Sequence, residues 1–260
     1  MRTISATTAR RLAITRQRLA GTTSKPNADG ILEVVKDLGF LQLDPTSVVA
    51  PSHQLVVFSR VGTYQPKHLE TLLWEERRLF ESWAHAASIV VTDHYPIYRW
   101  IMHRVATGKG FWHGITSSGE RQAQRVIAWM KANDSLRRSI LRQVRARGPL
   151  PSRAFEDQST GGWRSSGWNN GRNVPMMLFY LQMMGQLMVA RRSGGQKLWD
   201  LSERCLPAWT PRIRLGEAAI VRWAAEISLR ALGVASPGEI REHFIRWKYV
   251  NLPAALATLE

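Results

Sequence analysis

The stretch FLQLDPTSVVAPSHQLVVFSR, residues 40–60, governs the reading of everything around it. Phe40 to Asp44 reads as a short strand that Pro45 closes, because proline has no N–H for a continuing ladder. Side chains alternate across a strand, so Leu41 and Leu43 are predicted to enter a core. Gln42 and Asp44 then project together on the other side, about 6 to 7 Å apart along the backbone. An aspartate with an ordinary pKa of roughly 4 is ionised at neutral pH, and it can hold a water or lie beside a sugar cation. Gln42 offers a donor and an acceptor to the same water. The pair would equally suit a solvated strand end or the cap of a following helix. From Pro51 to Arg60 the chain is predicted to continue as a short helix.

Upstream, Thr8 to Ala20 reads as a basic helix that Gly21 stops. A second helix, capped by Asn27 and ended by Gly39, presents Ile31, Leu32, Val35 and Leu38 on one face. Downstream, Gln65 and Pro66 open another helix with Leu69, Leu72 and Leu73 on one side. Leu79 to Val91 reads as strand or extended chain, with Glu81, Trp83 and His85 alternating onto one face. Asp93 to Val105 has helical character. The Gly- and Ser-rich segment TGKGFWHGITSSGE, residues 107–120, reads as a loop that sets Lys109 beside Phe111, Trp112 and His113, a cation among aromatics that could reach DNA. Arg121 to Asn133 is predicted to be a linker helix.

Charge narrows the function. Lys and Arg number 36 against 20 acidic residues in 260, a formal net charge of +16, so a polyanionic partner is implied. Nucleic acid is favoured over a lipid surface, since no run approaches the ~18 consecutive apolar residues of a spanning helix. Cys205 is the single cysteine, which excludes an internal disulfide and a cysteine-based zinc site. The seven histidines show no metal-binding spacing. The basic N-terminus lacks the apolar core of a signal peptide. A cytoplasmic monomer without metal or cofactor is expected.

From Ser135 the order of elements becomes informative. Leu136 to Arg147 is a basic helix burying Ile140, Leu141 and Val144, GPLPSRAFED is a turn into a second helix, and Asn173 to Gly185 is a third. Leu187 to Leu201 is a hairpin about Ser193-Gly194-Gly195. Helix, helix, helix, hairpin is the winged-helix order. The third helix would be offered to a groove and the hairpin would be the wing, with Met176, Met177, Met183 and Met184 as core filling. RARGPLPSRAFED from Arg145 is echoed by RALGVASPGEIRE from Arg230. Arg222 to Leu232, Pro237 to Arg246 and Asn251 to Glu260 would then begin a third unit. The expected fold is mainly α with small β wings (α+β), with domains at 1–133, 134–210 and 211–260. Arg60, Lys109, Arg164, Arg172, Arg191, Arg192 and Lys197 are the predicted phosphate contacts.

The block from Gly39 through His85, with LGFLQLDPTSVV, then HQLVVFSRVGTYQPKHLETLL, then RRLFESWAHAASIV, resembles the YcaQ/AlkZ family of bacterial DNA glycosylases. That family's catalytic signature is Gln, an apolar residue, then Gln or Asp. Gln42-Leu43-Asp44 is similar to the Gln-x-Asp form of the YcaQ (AlkX) branch. The resemblance implies tandem winged helices, catalytic roles for Gln42 and Asp44, and Glu81 and His85 lining the site. It also implies double-stranded DNA carrying N7-linked guanine adducts or interstrand crosslinks as substrate. N7 alkylation makes the base a good leaving group, so the difficulty is the sugar cation, which an ionised Asp44 could stabilise while Gln42 fixes a water. No lysine nucleophile is needed, and a monofunctional glycosylase follows. The family continues beyond a third unit, so this chain's end is expected to leave Leu252, Leu256 and Leu259 uncovered and to weaken the DNA grip. A regulatory winged-helix DNA-binding protein without chemistry is the rival reading.

Overall fold

The computed structural model describes residues 3–21, 24–44, 47–109, 117–163, 172–245, 247 and 249–259. They form two compact units, Met1–Ile97 with Pro211–Glu260, and Tyr98–Thr210. The fold is mainly helical with two small antiparallel sheets.

The first unit begins with α1 (Ala6–Arg16), capped by Ser5, and α2 (Ala28–Leu38). Helix α1 ends earlier than expected because Arg18 takes a left-handed φ of 54°, its Nε 2.6 Å from Asp37 Oδ2. The Asn27 side chain accepts from Gly30 N at 3.0 Å and Gly39 ends α2 with φ 85°. A larger residue at Gly39 would be strained at this φ, and its Cβ would lie 2.8 Å from Ile227 Cγ2, which would have to shift. Strand β1 (Phe40–Gln42), α3 (Ser52–Val61) and α4 (Pro66–Glu70) follow, and α4 runs on into a π-helical turn over Thr71–Glu75.

The segment expected as extended chain is a hairpin of β2 (Leu79–Trp83) and β3 (Ala87–Val91). Strand β3 lies centrally, with β1 and β2 antiparallel on either side. Leu41 pairs with Ile89 and Gln42 with Ser88, while Glu81 pairs with Ile89 and Phe80 with Val90. Cross-strand partners share a face, so Leu41, Ile89, Val91 and Leu79 form the inner face. They pack with Ile31, Val35, Val57, Leu69, Leu72 and Leu73 in one core. Helix α5 (Tyr95–Ala106) begins in this unit and ends in the second.

The second unit holds α6 (Ser117–Ala132), α7 (Asp134–Arg147), β4 (Leu150–Pro151), α8 (Asn173–Met183), β5 (Leu187–Ser193), β6 (Gln196–Leu201) and α9 (Ser202–Cys205). Helix α6 is no linker, because it buries Ala123, Val126 and Met130 and its end is pinned by Asn133. Asn133 Nδ2 donates to Trp129 O at 2.9 Å, and Oδ1 accepts from Thr160 N at 2.9 Å. After Gly148 the described residues before 164 hold only a 3-10 turn over Ser152–Ala154, within the segment read as a turn, and 164–171, where the expected second helix would continue, lie outside the described residues. The sheet order, β4-β6-β5, repeats the first-third-second order of β1-β3-β2. Gly194 and Gly195 make the hairpin turn, both with positive φ, 53° and 78°, as a two-residue turn of this hand requires.

Helix α8 differs from its expected role. Asn173, Val174, Met176, Met177, Leu178, Tyr180, Leu181, Gln182 and Met183 are all buried, so it cannot be laid in a DNA groove. NVPMMLFYLQM is apolar nearly all round, and such helices belong to cores.

The chain then returns to the first unit with α10 (Glu217–Leu232), α11 (Pro237–His243) and α12 (Leu252–Ala257). Ser236 and Glu239 form a capping box at the start of α11. This C-terminal segment covers the outer face of the first sheet. The Phe40 ring lies 5.5 Å from His243 and 6.5 Å from Phe244. On α5, Tyr95 meets Phe80 edge-on at 6.1 Å. The boundaries expected at 1–133, 134–210 and 211–260 are thus redrawn, because 211–260 completes the core begun by 3–97. Leu252 is buried and Leu256 and Leu259 are half-buried, since α12 packs on α10; the expected bare leucines are not found.

Candidate active site

Gln42 and Asp44 are both exposed, with buried Leu41 and half-buried Leu43 beside and between them. The ladder extends one residue past β1, through Leu43 N donating to Ala87 O at 2.7 Å, so the alternation carries to Asp44. Leu43 packs against the inner core. A second tie holds the strand end: Ser52 Oγ, on the first residue of α3, donates to the Gln42 carbonyl at 3.3 Å. An edge strand fixed on both sides therefore offers a carboxamide and a carboxylate to solvent. Pro45, expected to close the strand, lies outside the described residues.

His85 sits in the turn joining β2 and β3, beside this end of the sheet. Its Nδ1 is 2.7 Å from the Glu242 carbonyl on α11. The next residue, His243, has its Nδ1 3.3 Å from Ser228 Oγ. Burial holds the His243 imidazole down to about 4, and His85 adds a smaller push in the same direction. This histidine pair was not visible in the sequence, because no spacing rule links positions so far apart. Glu81 is placed differently from the expectation: it is 4% exposed and pairs with Ile89 on the Leu41 face. That is the face opposite Gln42, and the alternation of Glu81 with His85 ends where β2 gives way to the turn.

The expected phosphate contacts divide. Arg60 is buried, with Nε donating to Gln17 O at 3.1 Å and Nη1 to Val56 O at 3.2 Å and Ser59 Oγ at 2.7 Å. It is a tie between α3 and the end of α1, and not a surface contact. Lys109, Arg172, Arg191 and Arg192 are exposed. Lys197 is half-buried, its Nζ 5.3 Å from the centre of the Trp199 ring. Arg192 and Lys197 stand directly opposite each other across the β5–β6 hairpin, two like charges near its turn. Arg164, Phe111, Trp112 and His113 lie outside the described residues. Among the described residues no three His, Cys, Asp or Glu side chains are grouped to hold a metal, and no helix is long and apolar enough to cross a membrane.

A sequence model of AlkZ-like DNA glycosylases matches residues 35–260, which include Gln42, Asp44 and every element from β1 to α12. The chain belongs to the AlkZ-like DNA glycosylase family. Among solved structures this AlkZ-like chain is similar to the Streptomyces sahachiroi DNA glycosylase AlkZ, with a TM-score of 0.55 and 17% sequence identity. The similarity covers 92% of this chain and 64% of that one. At this identity it establishes a common fold, and the AlkZ-like chain spans less than two thirds of the length of that structure.

Proposed function

We propose that the chain is a monofunctional DNA glycosylase. It hydrolyses the N-glycosidic bond of N7-alkylguanine and unhooks interstrand crosslinks through the same bond. The observation that carries this reading is the joint exposure of Gln42 and Asp44 on one side of a pinned edge strand.

In the proposed reaction the positively charged base leaves with the electrons of the C1'–N9 bond, and cationic character develops on the sugar. Asp44, ionised, stabilises that cation and takes a proton from the water that attacks C1'. Gln42 holds that water or the carboxylate in place. The products are a free alkylated base, made neutral by the electron pair it keeps, and an abasic sugar. Fixed dipoles and charge of this kind supply the largest part of many enzymes' acceleration. Both sheets belong, in this reading, to winged-helix units, with the β2–β3 and β5–β6 hairpins as wings. Contact with DNA in the second unit falls to Arg191, Arg192 and Lys197 on the hairpin, since α8 is a core helix.

The deciding experiment is base release from a duplex carrying N7-methylguanine or a nitrogen-mustard crosslink. Asp44→Asn is expected to lower single-turnover release by ~10²-fold or more, the scale of losing one preorganised charge, with duplex affinity retained. No release by the unaltered chain, with DNA binding intact, would support a non-catalytic DNA-binding protein.

A further inference from the structure

The fold leaves two adjacent valines almost entirely in water, shortly after Asp44. Val48 is 92% exposed and Val49 is 89% exposed, whereas the next most exposed large apolar residue among those described, Ile213, is at 58%. They occupy the tip of a short loop that is closed at its neck by a bridge between Ser47 and Pro51. Directly after the neck, Ser52 Oγ holds the Gln42 carbonyl, so the loop and the Gln42-Asp44 strand end share an anchor. Single exposed apolar side chains are ordinary on protein surfaces. A pair at the tip of a braced loop, four and five residues after a candidate catalytic carboxylate, contributes nothing to folding by burial and calls for a partner that takes apolar groups.

We propose that Val48 and Val49 form an apolar wedge that enters the base stack of duplex DNA next to the lesion, separating the damaged nucleotide from its neighbour so that its C1' reaches Asp44. Charge selects this occupant: a chain of net charge +16 draws a polyanion to its surface, and duplex DNA is the polyanion whose interior is apolar. Proteins that deform duplexes insert apolar side chains between base steps in this way. Two β-branched side chains, each stiff about χ1, lose little conformational freedom on insertion. A wedge also suits a substrate too bulky to be withdrawn whole into a closed pocket. On α3, which follows the loop, Leu55 and Phe58 are also 44% and 54% exposed.

The inference rests on the proposed glycosylase reading, and its test separates the two. Duplex DNA carries N7-methylguanine with 2-aminopurine as its neighbour. An Asp44→Asn chain is expected to bind this duplex and raise 2-aminopurine fluorescence as the stack opens. Adding Val48→Ser and Val49→Ser is expected to leave binding within about threefold and remove most of that rise. With Asp44 intact, the two serines are expected to slow single-turnover release by roughly tenfold or more, since unstacking is then unassisted. The thermal midpoint should not move, because both side chains are already in water. An unchanged fluorescence rise together with unchanged release overturns the wedge and leaves the glycosylase standing. If the unaltered chain releases no base, the glycosylase reading fails, and valine-independent fluorescence on the bound duplex overturns the wedge as well. A change of oligomeric mass by the serine substitutions, with stacking unaffected, assigns the tip to a second copy of the chain and also overturns it.

Discussion

At the level of single side chains, position in the fold sorts groups that look alike in the sequence. Arg60 stands in a basic chain like any other arginine, yet its guanidinium is committed to two backbone carbonyls and a hydroxyl, and burial pulls its pKa down. Gln17, whose carbonyl accepts from Arg60, donates from its own amide to Ala231 O at 2.8 Å, so α1, α3 and α10 meet at this pair. Arg60→Ala is expected to lower stability by about 1–3 kcal/mol, the range for stranding buried acceptors, seen as a fall in denaturant midpoint. The salt dependence of DNA binding should not change. Two histidines make a second test. Burial holds both His94 and His243 down to about 4, with Lys36 and Arg230 adding to the effect at His94 and Asp93 opposing it. Their neutral forms belong to the fold, so the unfolded chain binds more protons. Stability is complete above the ordinary histidine value of about 6.5 and is lost as pH falls from there through about 4. A thermal midpoint that stays level across this window would contradict the burial of both rings.

Among the elements, the hairpins carry the testable consequences. The β5–β6 hairpin pairs Arg192 with Lys197 and adds exposed Arg191 after an irregularity in the ladder. If these residues hold phosphates, Arg191→Ala and Arg192→Ala should each weaken duplex binding irrespective of sequence and reduce the slope of log K against log salt by about 1. The fold should tolerate both, since Arg191 and Arg192 are exposed. A salt slope identical to that of the unaltered chain would move the interface elsewhere. The β2–β3 hairpin also gives Leu79, Ile89 and Val91 to the core of the first unit. Its turn, through His85, is bonded to α11, which links the strand-end pair to a helix from the far end of the chain.

On the scale of the molecule, the first unit is built from both ends of the sequence. Phe40, Phe80 and Val90 on the outer face of its sheet depend on Tyr95 and on the Phe244 end of α11 for cover. Ending the chain at Thr210 is therefore expected to unfold the first unit, with loss of near-UV circular dichroism from the rings that cover this face and with rapid proteolysis of residues 3–97. The separate second unit should keep its protection. Survival of a protease-resistant 3–97 fragment would show that the N-terminal elements form a core alone.

Local chemistry made much of this legible from residue order. Asn27 and Gly39 bracket α2 because a side-chain acceptor and a positive φ end helices wherever they occur. Gly194-Gly195 turns a hairpin for the same kind of reason, and Leu41-Gln42-Leu43-Asp44 alternates because a strand must. The methionines of α8 were legible as core filling, although its place as the third helix before a hairpin suggested a groove-facing helix. Contacts between distant segments had no such trace. The register placing Glu81 beside Ile89, the withdrawal of Arg60 from the surface, the joining of 211–260 to the N-terminal core and the meeting of His85 with Glu242 are set by which surfaces pack together, and packing depends on shape in three dimensions, which no local spacing encodes.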